Sequence, residues 1–156
     1  MKIRNYINIF LIITWMFVIF NFSNQTGTSS SGLSSKIIIG IAEIFNKDLT
    51  TKEKEELVDK YKVIVRKGAH FGAYFILGTL TIILFIDLKG TTKLSFIIST
   101  LICTIYAATD EIHQLFIPGR CGSIIDVLID SCGSLTAIII IFTIASLIKK
   151  NKSTNK

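Results

Sequence analysis

Four long apolar runs divide the chain. They cover approximately residues 6–22, 68–88, 94–109 and 124–148, and the third run is the shortest. A run of roughly 17 to 25 mostly apolar residues is long enough to cross a bilayer as an α-helix. Polar stretches separate the runs, so each run can form its own crossing. The pattern therefore predicts an all-α membrane protein with four transmembrane helices.

The first run has an alternative interpretation. It follows Lys2 and Arg4, which is also how a cleaved signal peptide begins. However, the sequence after the run, Phe22-Ser23-Asn24-Gln25, lacks the small-x-small pattern of a cleavage site. We therefore expect a retained helix.

The stretch between the first two runs, residues 23–67, predicts further helical structure. Residues 23–35 are rich in Ser, Thr, Asn and Gly and indicate a loop. Residues 33–45 contain enough apolar residues for an interfacial helix. Acidic residues from Asp48 onward are typical of a helix start. Apolar residues then recur at helical spacing: Leu57, Val58, Tyr61 and Val65. We predict an additional extracytoplasmic or interfacial helical segment between transmembrane helices 1 and 2.

Basic residues set the predicted orientation. Lys2 and Arg4 precede the first run, and Lys89 and Lys93 lie between the second and the third. The C-terminal tail carries four more: Lys149, Lys150, Lys152 and Lys156. The positive-inside rule places all of these in the cytoplasm, together with both termini. Residues 23–67 and 110–123 then lie on the outer side, and residues 1–156 form a single multi-pass domain.

The composition excludes several classes of protein. Of the 156 residues, 50% are hydrophobic and 18% are charged, against roughly 25% charged in a typical soluble domain, which excludes a water-soluble enzyme. The net charge of +6 does not indicate a nucleic-acid partner, because the basic residues form no stripe with interleaved aromatic residues. The three cysteines, Cys103, Cys121 and Cys132, form no CxxC pair. We interpret them as small apolar filler rather than a disulfide or zinc framework.

Polar residues at the start of the second run are the first functional candidates. An ionisable group near the membrane interior costs roughly 2.5 kcal/mol or more, so its presence points to function. Three of these polar residues follow one another at intervals of four residues and so lie on one face of a helix: Arg66, His70 and Tyr74. Lys67 lies beside them. A neutral imidazole at His70 can act as a base, a ligand or a hydrogen-bond donor. The simpler alternative is that the two cations are interfacial anchors and His70 bridges two helices.

The densest polar cluster follows the third run. It contains two acids, a histidine, an amide and a guanidinium: Asp110, Glu111, His113, Gln114 and Arg120. If the helix continues beyond residue 109, Asp110 shares a stripe with His113 and Gln114, whereas Glu111 points about 100° away. The planar fork of Arg120 suits a phosphate or a carboxylate. This density exceeds what a solvated loop requires.

Two aspartates form a third cluster in the fourth run. Asp126 and Asp130 lie one helical turn apart, and Gly133 and Ala137 continue their face, which allows another helix to approach closely. A buried structural ion pair with a nearby basic residue is the alternative to a functional role. Ser23-Asn24-Gln25 is a weaker fourth cluster that an exposed loop explains equally well. Together, the clusters predict one polar pocket at the outer interface.

The chain resembles the VanZ-like family of bacterial membrane proteins in three motifs across about residues 21–137. These are Arg66-Lys67-x-x-His70-Phe71-x-x-Tyr74, Asp110-Glu111-x-His113-Gln114-x-Phe116-x-Pro118-Gly119-Arg120, and Asp126-x-x-x-Asp130-x-x-Gly133. Phe22-Ser23-x-Gln25 is similar to the first motif of that family. There are two departures: the family often has Glu where this chain has Ala73, and often Gly where it has Ala137.

The resemblance implies a small multi-pass protein of the bacterial cytoplasmic membrane and cell envelope. The founding member of the family is associated with resistance to teicoplanin, a lipoglycopeptide antibiotic. The motif positions of the family fall on nine residues here: His70, Tyr74, Asp110, Glu111, His113, Gln114, Arg120, Asp126 and Asp130. These nine positions are therefore the expected site.

Binding or shielding in the cell envelope is the function that we favour from the sequence. The ligand would be a membrane lipid headgroup, a lipid-linked cell-wall precursor or a lipoglycopeptide antibiotic. The expected ligand-binding residues are Arg66, Lys67, His70, Tyr74, Gln114, Arg120, Asp126 and Asp130. We assign no cofactor and no metal to this function.

Two alternatives belong to other classes of protein. The first is a membrane-embedded enzyme that modifies a lipid or an envelope glycan, with catalytic candidates Glu111, His113, Asp110 and His70. It would use acid–base chemistry or a divalent metal, since imidazole and carboxylate bind several metals. No nucleophile stands out, and no HExxH, P-loop or GxGxxG motif occurs. The second is proton-coupled transport, although four helices make a small transporter unless the protein oligomerises.

Overall fold

The computed structural model describes residues 2–154 and consists of five α-helices. In chain order they are α1 (Ile3–Ser23), α2 (Gly27–Phe45), α3 (Thr51–Lys89), α4 (Lys93–Gln114) and α5 (Ile124–Thr154). No strand occurs within the described range, and the all-α prediction is confirmed. Lys156, which the sequence assigns to the cytoplasmic tail, lies outside the described residues.

Four of the five helices are long and apolar enough to cross a membrane: α1, α3, α4 and α5. This confirms the four predicted transmembrane helices. The helices extend beyond the predicted runs, and α4 continues from residue 109 to Gln114. The acidic pair Asp110 and Glu111 is therefore helical. Large apolar side chains such as Phe10 and Phe17 are exposed along α1, as expected for residues that face lipid.

Helix α3 joins two elements that the sequence suggested were separate. It begins with a capping box, in which Thr50 Oγ1 accepts from Glu53 N at 3.4 Å and Glu53 Oε2 accepts from Thr50 N at 2.8 Å. The single proline of the chain is Pro118, so none interrupts this helix. Its 39 residues span about 58 Å, almost twice the roughly 30 Å hydrocarbon thickness of a bilayer. The N-terminal part of α3 therefore extends beyond its spanning segment.

Helix α2 corrects the loop prediction for residues 23–35. Only residues 24–26 connect α1 to α2, and Thr26 Oγ1 caps the helix by accepting from Ser29 N at 3.4 Å. The serines are accommodated because their hydroxyls donate to carbonyls one turn earlier. Ser34 donates to Ser30 O at 3.2 Å, and Ser35 donates to the corresponding carbonyl at 2.9 Å. A segment whose composition is typical of a loop therefore forms the first turns of α2.

Helix α3 lies at the centre of the bundle and contacts all four other helices. Its closest approach is to α5. A Cβ at Gly78 would lie 2.5 Å from Ser134 O, and a Cβ at Gly133 would lie 2.3 Å from Phe71 O. The close approach predicted at Gly133 is therefore present, and it fixes α3 against α5.

The apolar core lies between α3, α4 and α5. Leu77, Ile82, Ala107 and Ile138 are fully buried there. Cys103 is buried with them, as expected for apolar filler, and its Sγ lies 3.3 Å from Thr81 Oγ1. Cys121 and Cys132 are also free thiols but are exposed, so the filler interpretation does not extend to them.

Candidate functional site

Arg120 forms hydrogen bonds with two other segments at the end of the bundle where the polar clusters meet. Its Nε donates to Gln25 O at 2.8 Å, its Nη2 to Phe22 O at 2.9 Å, and its Nη1 to Gln114 Oε1 at 3.1 Å. Carbonyls in the last turn of a helix have no partner within that helix, and a guanidinium can satisfy them. Arg120 therefore joins the C-terminal ends of α1 and α4.

Two glycines bring the loop after α4 against the turn between α1 and α2. Gly27 N donates to Pro118 O at 3.1 Å, and a Cβ at Gly27 would lie only 1.9 Å from Gly119 O. Gly119 adopts a φ of +73°, a left-handed conformation that favours glycine. Ser23 at the start of this turn is buried. Within the weak fourth cluster, Ser23 therefore belongs to a helix-packing contact, whereas Asn24 is exposed.

Gln114 connects the two adjacent carboxylates to Arg120. Its Nε2 donates to Asp110 Oδ2 at 3.2 Å and to Glu111 Oε1 at 3.1 Å. Glu111 Oε2 also accepts from Ser123 N at 2.9 Å, at the start of α5. Both carboxylates are buried, and Asp110 Oδ1 has no hydrogen-bond partner among the described residues.

His70, Glu111 and Asp130 converge from three helices. One potential ligand atom from each residue lies within 4.8 Å of the other two. His70 Nδ1 is 3.3 Å from Asp130 Oδ1, within ion-pair distance. Tyr74 is also buried, its ring centroid lies 6.2 Å from that of Tyr106, and its hydroxyl has no partner among the described residues. The sequence predicted that His70 and Asp130 share a site, and the structure brings them together.

Three other predicted residues lie beside this convergence. Lys67 Nζ donates to Asp126 Oδ1 at 3.3 Å, which matches the ion-pair alternative for Asp126. The ring of His113 stacks on Phe20 of α1 with a centroid distance of 4.7 Å. His113 therefore faces α1, and its Nε2 has no hydrogen-bond partner among the described residues.

A cavity of about 370 Å³ opens between α1, α2 and α3. Most of its wall is apolar and includes Trp15, Val18, Ile19, Leu33, Ile37 and Val65. One region is polar and contains five of the predicted residues: Arg66, His70, Tyr74, Asp110 and Arg120. The remaining predicted residues, Lys67, Glu111, His113, Gln114, Asp126 and Asp130, are not part of its lining. The sequence predicted a single pocket. The structure instead has a cavity, with the cluster of His70, Glu111 and Asp130 beside it.

Sequence reasoning missed the apolar wall of the cavity. Trp15 Nε1 donates to Ala73 O at 2.8 Å, which fixes the indole against α3. Leu33 and Ile37 fall within the interfacial helix predicted over residues 33–45, but the sequence did not assign them to the site. Their i, i+4 spacing, with Ser30 and Ser34 on the same side, was the available signal.

The polar region of the cavity carries two guanidiniums. Burial, followed by the positive charge of Arg66, lowers the pKa of Arg120 from its ordinary value. Arg120 remains charged, because a guanidinium is not deprotonated in proteins. Arg66 forms no hydrogen bond or ion pair with another described residue. An anionic group between the two cations would therefore relieve their repulsion and use their remaining donors.

Comparison with known proteins identifies the family. No curated protein and no solved structure matches the chain. A family model described as VanZ/LLP1 matches residues 8–146, which include all three motifs and the cavity. With four helices able to span a membrane, this chain belongs to the VanZ/LLP1 family and is a membrane protein.

Proposed function

We propose that this protein binds an amphipathic lipid of the bacterial cell envelope in the cavity between α1, α2 and α3. The observation that carries the proposal is the division of the cavity wall into an apolar part and a region with two guanidiniums. An acyl chain would pack against residues such as Trp15 and Ile37, and an anionic headgroup would lie between Arg66 and Arg120. Binding would shield that headgroup from other molecules in the envelope.

The size of the cavity limits the ligand. A volume of about 370 Å³ lies near the lower end of the roughly 300–1,000 Å³ range of small-ligand sites. This volume suits part of an acyl chain and the adjoining part of a headgroup. A lipid-linked cell-wall precursor or a lipoglycopeptide such as teicoplanin is larger than this, so only part of its lipid chain would enter. The sugar or peptide portion would remain outside.

The predicted orientation supports a site at the outer face of the cytoplasmic membrane. Basic residues flank the opposite end of the bundle, where Lys89 ends α3 and Lys93 begins α4. The positive-inside rule assigns that end and both termini to the cytoplasm. The cavity would then face the compartment in which envelope lipids and lipoglycopeptides meet. This location is consistent with a role in teicoplanin resistance.

Lipid retention after purification tests this function. Native mass spectrometry would count phosphatidylglycerol and phosphatidylethanolamine bound to the wild type, to Arg66→Glu and to Lys52→Glu. Lys52 is an exposed cation on the same helix that does not line the cavity, so its reversal is the matched control. We expect the wild type and Lys52→Glu to retain the anionic lipid preferentially, and Arg66→Glu to lose that preference. Equal retention by all three proteins would contradict the proposal.

Adding teicoplanin to the lipid-bound protein tests whether the cavity binds the antibiotic or only membrane lipids. Displacement of the lipid would indicate that the acyl chain of the antibiotic enters the same cavity. Retention of the lipid would restrict the site to membrane lipids. Susceptibility of cells that produce the wild type or Arg66→Glu at equal membrane levels would then show whether binding contributes to resistance.

A second candidate function is an enzyme that modifies the bound lipid. The observation that favours it is the buried cluster of His70, Glu111 and Asp130 beside the cavity, with His70 belonging to both. Glu111 would act as a general base and His70 would orient the site. Lipid extracts from cells that produce the wild type or Glu111→Gln test this function. A lipid species found only with the wild type would support the enzyme, and identical profiles would oppose it.

A further inference from the structure

We propose that His70, Glu111 and Asp130 bind one divalent transition-metal ion. The three residues come from α3, α4 and α5, and one ligand atom of each lies within 4.8 Å of the others. Nitrogen and oxygen ligands bind such ions at about 2.0–2.2 Å, so atoms around one ion lie up to about 4.4 Å apart. Binding one ion would therefore require these side chains to rotate slightly, so that the three atoms come closer together. The proposal does not depend on lipid binding, because Glu111 and Asp130 do not line the cavity.

The carboxylate of Asp130 is the second, independent indication of a ligand. The residue is 0% exposed, and neither of its oxygens has a hydrogen-bond partner among the described residues. His70 Nδ1 lies 3.3 Å from Oδ1, but the two groups are not aligned as a hydrogen bond. A buried carboxylate that accepts no hydrogen bond is costly because burial removes its hydration. An ion between Asp130 and His70 would supply the missing partner.

In the part of the chain that the structure describes, no lysine or arginine competes for this position. Among the described residues, neither Glu111 nor Asp130 forms an ion pair with a lysine or an arginine. The nearby Lys67 is paired with Asp126. The guanidinium of Arg120 donates to two backbone carbonyls and to Gln114 rather than to a carboxylate. A divalent ion would balance the two carboxylates while His70 remains a neutral ligand.

The surrounding structure holds the three ligands in place. Gln114 Nε2 and Ser123 N each donate to one oxygen of Glu111, at 3.1 and 2.9 Å, and leave a lone pair on each oxygen available. Groups of this kind orient a metal ligand and raise affinity. Phe71, next to His70, contacts Gly133 closely. A Cβ added at Gly133 would fit only if the backbone at Phe71 shifted. The site is therefore built on rigidly packed helices.

The donor set indicates the class of metal. One imidazole and two carboxylates suit Zn²⁺ or Mn²⁺, whereas Ca²⁺ and Mg²⁺ favour sites made of oxygen ligands. Three protein ligands also leave at least one coordination position open. We therefore expect Zn²⁺ and Mn²⁺ to bind, and Mg²⁺ to compete poorly.

Metal titration of the purified protein is the test. The full chain, purified in detergent without a histidine tag and stripped with a chelator, would be titrated with Zn²⁺ and Mn²⁺ in separate experiments. Stoichiometry would be read by elemental mass spectrometry and affinity by calorimetry. Asp130→Asn and Glu111→Gln remove ligands. Asp87→Asn is the matched control, because Asp87 pairs with Arg4 elsewhere in the bundle.

We expect about one tightly bound ion per chain in the wild type and in Asp87→Asn. Affinity should fall at least about tenfold in Asp130→Asn and in Glu111→Gln. Zn²⁺ should also raise the unfolding temperature of the wild type but not that of the ligand variants. An ion retained equally by Asp130→Asn would identify an adventitious surface site and overturn the proposal. Failure of the stripped wild type to bind either ion would overturn it whether or not the variants fold.

Discussion

Arg120 Nε donates to the carbonyl oxygen of Gln25 at 2.8 Å, across the junction between the α4–α5 loop and the turn after α1. The same guanidinium donates to Phe22 O, so two of its hydrogen bonds satisfy backbone carbonyls rather than a ligand. Arg120 therefore contributes to the fold as well as to the polar region of the cavity. Substitutions of Arg66, which has no such bonds, are a cleaner test of ligand binding.

Replacing Arg120 with lysine should destabilise the protein. A lysine carries one point charge and cannot reach the three acceptors that the guanidinium fork contacts together. Loss of hydrogen bonds to a charged group predicts a decrease of about 1–3 kcal/mol in the free energy of unfolding. The measurement is the unfolding temperature in detergent, with Arg66→Lys as the control. Equal unfolding temperatures for the two variants would show that the Arg120 hydrogen bonds contribute little to stability.

Gly27→Ala should weaken the contact between α2 and the loop after α4. The new Cβ would lie 1.9 Å from the backbone oxygen of Gly119, so the loop would have to move. A forced shift of this kind typically costs about 1–3 kcal/mol. Gly32→Ala on the same helix is the matched control, because no other described part of the chain lies within 4 Å of its Cβ position. It should be neutral or stabilising by up to about 1 kcal/mol.

The same comparison applies to the α3–α5 interface. Gly133→Ala would place a Cβ 2.3 Å from Phe71 O, whereas Gly72→Ala has open space around it. We expect Gly133→Ala to lower the unfolding temperature and to weaken metal binding, because it separates the helices that carry His70 and Asp130. Gly72→Ala should change neither measurement. Unchanged metal affinity in a destabilised Gly133→Ala protein would show that the cluster does not depend on this contact.

A bulky residue at the apolar wall should block lipid binding without changing charge. Ile37→Trp would fill part of the cavity, whereas Ile41→Trp lies one turn further along α2 and outside the cavity lining. Both isoleucines are exposed, so neither substitution overpacks the protein core. Native mass spectrometry should show less bound phosphatidylglycerol for Ile37→Trp only. Equal loss in both variants would indicate a general effect on α2.

The length of the apolar runs was sufficient to predict the four spanning helices, because a run of that length in lipid must satisfy its backbone hydrogen bonds internally. The helix predicted over residues 33–45 is the C-terminal part of α2, but serine composition wrongly indicated a loop over its first turns. The side chains of Ser34 and Ser35 instead bond to their own helix, and composition does not reveal that choice. The continuity of α3 was missed for a related reason. A helix start was visible near residue 48, but no end signal separates it from the following span.

Helical spacing also predicted part of the site. It correctly placed Arg66, His70 and Tyr74 along one face, and all three line the cavity. Spacing defines positions only within one helix, so it could not show that His113 would turn towards Phe20. Nor could it show that Asp130 would meet His70 while Asp126, one turn away, would pair with Lys67. These choices depend on how α3, α4 and α5 are rotated against one another.

The orientation in the membrane can be tested at Cys121, which is exposed in the loop between α4 and α5. In a chain whose other two cysteines are replaced by serine, we expect a membrane-impermeant maleimide to label Cys121 in intact cells. The positive-inside rule places this loop outside and the exposed Asn151 in the cytoplasm. A cysteine-free chain carrying Asn151→Cys should therefore react only after permeabilisation. The opposite pattern would put the cavity on the cytoplasmic side, where it would not meet an extracellular antibiotic.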